Sequence, residues 1–131
     1  SGRAWLSKDA RRETAAIGYP RYYLDFETIG PPVPLWPGTR PYEALPFQWS
    51  CHYEGRPGDV RHADFLDLSG QPPMARVAAS LIRVLGKEGP VLTYTNYERE
   101  VIRRLARPVP EMARALCIEA GFRLRYAQRR F

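Results

Sequence analysis

Residues 21–27 have the sequence RYYLDFE, and this stretch decides the fold prediction. Its aromatic residues favour a β-strand, and its apolar residues fall on both faces, as is typical of a strand covered on both sides. Side chains two residues apart project from the same face of a strand. We therefore expect Asp25 and Glu27 to lie side by side, while Leu24 and Phe26 face the opposite way.

A proline-rich segment follows this strand directly. Residues 30–46 contain six prolines together with Gly30 and Gly38, and this density removes amide donors and predicts a long, stiff loop. Loops of this length in a compact domain are often functional. The loop is therefore predicted to be either a rim of a site or a surface excursion.

The rest of the chain predicts alternating strands and helices. Strands at 47–54 and 63–68 form an antiparallel hairpin around the turn-rich residues 55–59. Pro72-Pro73 opens a helix with apolar residues at three- and four-residue intervals, which ends at Gly86. A further set of elements completes the prediction: a short helix within 4–17, a strand at 91–95, a helix capped by Asn96 and stopped by Pro108, and helical spacing at 110–120.

These elements predict an α/β fold, a mixed sheet flanked by helices. We expect residues 1–131 to be a single domain, with 1–18 as an N-terminal helix or linker and 121–131 as a basic tail of unassigned structure. A first residue other than methionine suggests a piece of a longer polypeptide.

Composition is that of a globular protein, with 44% hydrophobic and 26% charged residues, and it argues against disorder. The net charge is +6, but residues 121–131 hold four arginines and no acid, so the remainder nets only +2. The charge therefore indicates a basic tail, either solvated or in contact with phosphate. Cys51 and Cys117 show neither zinc-site nor disulfide spacing. No apolar run is long enough for a membrane span and no signal peptide is evident, so a cytoplasmic protein without membrane contact is expected.

Two carboxylates on an apolar strand are costly unless their charge is compensated. Mg²⁺ or Mn²⁺ would compensate it, because these ions prefer carboxylate and water oxygens. Two such ions about 4 Å apart activate water and stabilise the leaving oxygen in phosphodiester hydrolysis. Taken alone, however, the spacing of Asp25 and Glu27 equally fits a solvated strand face.

The sequence YYLDFET at 22–28 closely resembles the first motif of the DnaQ-like, or DEDD, superfamily of proofreading exonucleases. Together with residues 38–42 and 46–50 it is similar to an uncharacterised bacterial branch of that superfamily. The resemblance implies an RNase H-like fold, two Mg²⁺ or Mn²⁺ ions, and 3′-to-5′ hydrolysis of a DNA or RNA partner, at a single-stranded end.

The resemblance also implies a third ligand. The superfamily's second motif places an acid after an aromatic residue at a helix start, and Tyr97-Glu98 matches it, although Tyr94 stands where relatives often have Asn. Asp25, Glu27 and Glu98 are therefore the expected metal-binding and catalytic residues. The alternative for Glu98 is a favourable charge at the positive end of a helix.

Substrate contacts are expected from Thr28, within the first motif, and from Arg40 and Trp36 in the proline-rich loop, because bases stack on aromatic side chains. Core packing is the expectation for Trp49. Neither His52, in a strand, nor His62, beside a turn, matches a metal motif, and neither is given a role, since a lone strand histidine is more often structural than catalytic.

A fourth acid, with a nearby His or Tyr, lies beyond another helix in the superfamily. Residues 110–131 contain no Asp, and Glu111 and Glu119 do not match the third motif. The site is thus expected to be incomplete and the domain truncated. An inactive nucleic-acid-binding or protein-interaction module is the alternative function.

Overall fold

The computed structural model describes residues 7–85, 89–106 and the backbone of 125–126. These residues form helices and strands in an α/β arrangement, as predicted. The helices are α1 (Lys8–Ala15), α2 (Met74–Val84) and α3 (Asn96–Ala106), and the strands are β1 (Arg21–Ile29), β2 (Leu45–Glu54), β3 (Val60–Leu66), β4 (Val91–Thr93) and β5 (Arg125–Tyr126). The helix predicted at 110–120 lies outside the described residues.

The strands form one mixed sheet in the order β3-β2-β1-β4-β5. Strands β1 and β2 are antiparallel, as are β2 and β3, so the predicted hairpin is confirmed. Strand β4 runs parallel to both β1 and β5. Leu92 pairs with Tyr23, so the chain leaves β4 at Thr93 beside the middle of β1 and then enters α3, while β1 continues to Ile29.

One face of the sheet is covered by α2 and α3, and the hydrophobic core lies between the sheet and these two helices. The apolar side chains of β1 and β2 on this face are buried, and so are those that the two helices turn towards it. The cluster comprises Tyr22, Leu24, Phe26, Trp49, Cys51, Val77, Ala78, Leu81, Val91, Val101, Ile102 and Leu105. Trp49 is a core residue, as predicted, and its indole Nε1 donates to Ser80 Oγ at 2.8 Å.

The opposite face of β1 is exposed, so the prediction of a strand covered on both sides is wrong. Tyr23, Asp25 and Glu27 project from this open face. The aromatic Tyr23 suggested burial, but it keeps 38% of its surface exposed and its hydroxyl donates to Glu54 Oε2 at 3.1 Å. A tyrosine can lie on a solvated sheet face because its polar end is satisfied there.

The proline-rich loop contains no helix or strand between residues 30 and 44, as predicted, but Leu45 and Pro46, which were predicted to belong to it, are the first residues of β2. Its ends are joined where Tyr42 N donates to Pro31 O at 2.9 Å. Tyr42 has a φ of 58°, in the left-handed region that non-glycine residues rarely adopt. Trp36 Nε1 donates to Gly70 O at 3.1 Å and so attaches the loop to the connection between β3 and α2.

Of the helices in the described part of the chain, none is both long and apolar enough to cross a membrane.

Candidate functional site

Asp25, at the centre of β1, and Glu27, two residues further on, lie together on the open face. Their neighbours across β2 are Ser50 and Gln48, respectively. Asp25 Oδ1 accepts a hydrogen bond from Phe26 N at 3.0 Å. Within the described ranges neither carboxylate forms an ion pair. The expected pairing of the two acids on one face is thus confirmed.

The expected reason for a metal at this pair is not confirmed. Both side chains are exposed, so water already solvates their charges and no buried carboxylate requires a counter-ion. What remains is a pair of adjacent, unpaired carboxylates in contact with solvent. Such a pair suits Mg²⁺, which keeps several of its waters and binds through one or two carboxylates.

A β-bulge lies beside these acids. Glu27 pairs with Gln48, but Thr28 pairs with Pro46, so Phe47 is an extra residue in β2. Bulges are common next to active sites because they redirect side chains. Thr28 Oγ1 forms a hydrogen bond with the hydroxyl of Tyr97, at the start of α3. This contact joins the end of the carboxylate strand to the first turn of the helix that carries Glu98.

Glu98 is buried, with 5% of its surface exposed. Its Oε2 accepts from Thr95 N at 2.9 Å and from Thr95 Oγ1 at 2.8 Å. Thr95 Oγ1 in turn accepts from Tyr97 N at 3.0 Å. This is a capping box, in which the N-cap side chain and the glutamate three residues later satisfy helix amides. The N-cap is therefore Thr95 and not Asn96, which is the first residue of the helix.

The structure brings two of the three expected ligands together. In the part of the chain that it describes, no group of three His, Cys, Asp or Glu side chains is arranged to hold a metal ion. Glu98 lies in the first turn of α3, which packs on the covered face, and its carboxylate accepts two hydrogen bonds from Thr95. It nevertheless follows the carboxyl end of β4, and ligand-binding groups of α/β sheets usually lie at the carboxyl ends of strands.

The expected substrate-binding residues differ in accessibility. Arg40 is exposed, and its backbone N donates to Glu43 Oε2 at 2.8 Å, which fixes the loop around it. Trp36 is half-buried, and its indole N–H is occupied by Gly70. The larger exposed aromatic surfaces belong to Tyr42 and Tyr94, which are 75% and 70% exposed.

Tyr97 is the residue that the sequence reasoning missed. The sequence marks Tyr97 only as the aromatic neighbour of Glu98, whereas its hydroxyl forms a hydrogen bond with Thr28 Oγ1. The available signal was its position in the first turn of a helix that follows a strand parallel to β1.

Residues 22–119 match the protein family described as a domain of unknown function, DUF2779. The matched range contains Asp25, Glu27, Thr28, Tyr97 and Glu98. Searches of curated proteins and of solved structures return no match. Because the match covers most of the chain, this protein belongs to the DUF2779 family.

Proposed function

We propose that this domain is the metal-binding part of a nuclease that hydrolyses phosphodiester bonds of DNA or RNA, of the 3′-to-5′ exonuclease type. The observation that carries the proposal is the adjacent, exposed and unpaired carboxylates of Asp25 and Glu27 on the central strand. A bound Mg²⁺ or Mn²⁺ would supply charge stabilisation at the phosphate and a more acidic water.

The architecture supports this proposal. A mixed sheet with helices packed on it agrees with the RNase H-like fold that the first motif implies. The hydrogen bond between Thr28 and Tyr97 holds the start of α3 beside the end of β1, and residues held by packing and hydrogen bonds make the most accurate sites. Asp25 and Glu27 are the proposed primary ligands.

Glu98 is the proposed third ligand, with a definite cost. To reach a metal, its carboxylate must release Thr95 N and Thr95 Oγ1. Losing a cap of this kind costs about 1 kcal/mol. Metal coordination at this residue must exceed that cost, so metal binding and the capping box compete for one carboxylate.

A second function has specific support. The described residues lack a group of three metal ligands, and Tyr42 and Tyr94 expose large aromatic surfaces. Bases stack on such side chains in proteins that bind single strands without cleaving them. An inactive nucleic-acid-binding module would therefore bind a single strand through these aromatic side chains without a metal.

A metal titration tests the primary ligands. Ions that bind only the native state raise its stability by mass action, by about 2.7 kcal/mol at 100 times Kd. We expect Mn²⁺ to raise the Tm of the wild-type chain and not that of Asp25→Asn. Asp64→Asn is the matched control and should keep the full rise in Tm. Asp64 is an exposed carboxylate of β3, and it pairs across the sheet with Ser50, which in turn pairs with Asp25. An equal Mn²⁺-dependent rise in the Tm of Asp25→Asn would contradict the proposal.

Activity and binding assays separate the two functions. A 5′-labelled single strand incubated with the protein and Mn²⁺ should shorten from its 3′ end in a ladder that Asp25→Asn abolishes. Binding without cleavage, with an affinity that falls steeply as salt rises, supports the inactive module instead. Neither cleavage nor binding would exclude both functions.

A further inference from the structure

The only two histidines of the chain, His52 and His62, face each other on the sheet. They are directly paired across the antiparallel strands β2 and β3. Both side chains are exposed, and the centres of their rings are 4.5 Å apart, with an angle of 39° between the ring planes. The sheet register therefore places two imidazoles of separate strands within reach of a single ion.

We propose that His52 and His62 form a binding site for a divalent transition-metal ion of the Zn²⁺, Ni²⁺ or Cu²⁺ class. Neutral imidazole is a preferred ligand of these ions, whereas Mg²⁺ prefers oxygen ligands. The ion would bridge His62 of the edge strand β3 and His52 of β2. This site is chemically distinct from the carboxylates of Asp25 and Glu27, and it does not depend on nuclease activity.

Ser50 orients one of the two rings. Its Oγ lies 3.0 Å from His62 Nε2. A metal-bound histidine usually donates its other ring N–H to an acceptor, which fixes the tautomer and the ring orientation. When His62 Nε2–H donates to the Ser50 hydroxyl, Nδ1 holds the lone pair that an ion requires.

The charge around the pair favours a cation. Strand residues two apart share a face. Glu54 therefore lies on the open face together with His52, and Asp64 lies there together with His62. Arg21 approaches Glu54 at 4.0 Å, but its guanidinium is buried and donates to carbonyls of residues 14–18. Glu54 is largely buried and paired with Arg21, so the exposed carboxylate of Asp64 supplies the solvent-facing negative charge near the two imidazoles.

The coordination is predicted to be partial. The described residues contain no group of three suitable side chains, so the two imidazoles would share the ion with water. A two-histidine site binds less tightly than the closed four-ligand sites of structural zinc. Because a native strand pair forms the site, the bound ion should stabilise β3 in particular.

Copper titration tests the proposal. The tag-free chain carrying Cys117→Ser, which removes a competing thiol, is titrated with Cu²⁺ and examined by electron paramagnetic resonance. We expect one ion per chain with nitrogen hyperfine structure. His52→Gln and His62→Gln should each weaken binding at least tenfold, while Asp25→Asn should leave it unchanged. The metal-free Tm of each variant shows that it folds, because exposed substitutions of this kind rarely change stability by more than about 0.5 kcal/mol.

Hydrogen exchange with Zn²⁺ gives an independent result. The ion should slow exchange of amides in β3, residues 60–66, and the two glutamine variants should lose this protection. Binding that survives in either variant, or a bound ion that leaves the exchange of β3 unchanged, would overturn the proposed bridge between the strands.

Discussion

A single substitution separates the helix-capping role of Glu98 from the metal-binding role that we propose for it. Glutamine at the third helical position can accept the same hydrogen bonds from Thr95, but it lacks the charge that a divalent ion requires. Glu98→Gln should therefore lower the free energy of unfolding by no more than the roughly 1 kcal/mol that loss of a helix cap costs, and it should reduce the Mn²⁺-dependent rise in Tm. Urea unfolding without metal and thermal unfolding with Mn²⁺ measure the two effects.

Thr95→Ala is the matched control for Glu98→Gln. It removes the hydroxyl that accepts from Tyr97 N and donates to Glu98, and loss of an N-cap costs about 1 kcal/mol. It leaves the Glu98 carboxylate intact, so the Mn²⁺ effect should persist. A full Mn²⁺ response in Glu98→Gln would instead assign this glutamate to helix capping alone.

Individual residues were predictable where local geometry decides their placement. The two-residue period of a strand placed Asp25 and Glu27 on one face without any knowledge of their neighbours. The bond between Thr28 and Tyr97 joins residues 69 positions apart, so no local pattern could reveal it. The exposure of the acids was missed because the aromatic composition of residues 21–27 could not show which aromatic side chain would face solvent.

The connection between β3 and α2 is held by the carboxylate of Asp67. Its Oδ2 contacts Arg76 Nη2 at 2.7 Å, and its Oδ1 accepts from Ser69 N at 2.9 Å. Hydrogen bonds from the side chain and backbone of Ser69, with a further contribution from Arg76, lower the pKa of Asp67 below its ordinary value of 3.8. The charged carboxylate thus stabilises this connection.

This lowered pKa predicts the pH dependence of Asp67→Asn. The unfolded chain takes up a proton at the ordinary pKa and the native chain only at a lower pH, so the stabilisation is complete above the ordinary value and is lost as pH falls through the native pKa. Asp67→Asn should be less stable than wild type at pH 7 and pH 5, and the gap should close below pH 3.8. Urea unfolding across this range measures it. The difference in stability between wild type and Arg76→Gln should narrow over the same pH range. A difference that persists at low pH would contradict the prediction.

Elements were predicted well where apolar periodicity extends over many residues, as in α2 and β1. Strand β3 begins at Val60, three residues before the predicted start. Its backbone pairing with β2 extends through Arg61 and His62. The polar side chains of these two residues give no apolar pattern that would predict a strand. Strand β4 ends at Thr93 because Thr95 serves as a helix cap. Boundaries set by hydrogen bonds are therefore less visible in the sequence than those set by burial.

Across the whole molecule, the sheet separates stability from the candidate chemistry. The covered face holds the core, whereas the open face holds the paired acids Asp25 and Glu27 and the paired histidines His52 and His62. Alternation along each strand produces this division, because every second side chain faces solvent. Substitutions on the open face can therefore test function with little effect on folding.

The core provides a probe of unfolding of the whole molecule, because Cys51 is completely buried near the middle of β2. Burial raises the pKa of its thiol from 9.0 to about 11, and the thiolate is the reactive form. In a Cys117→Ser background, Ellman's reagent at pH 8 should modify Cys51 only as fast as the protein opens, and at once in urea. The raised pKa also implies a contribution to stability that is complete below pH 9 and is lost as pH rises towards 11. The difference in the free energy of unfolding between wild type and Cys51→Ala should therefore change over that pH range. Rapid labelling of the native protein would show that the sheet opens locally at β2 without unfolding as a whole.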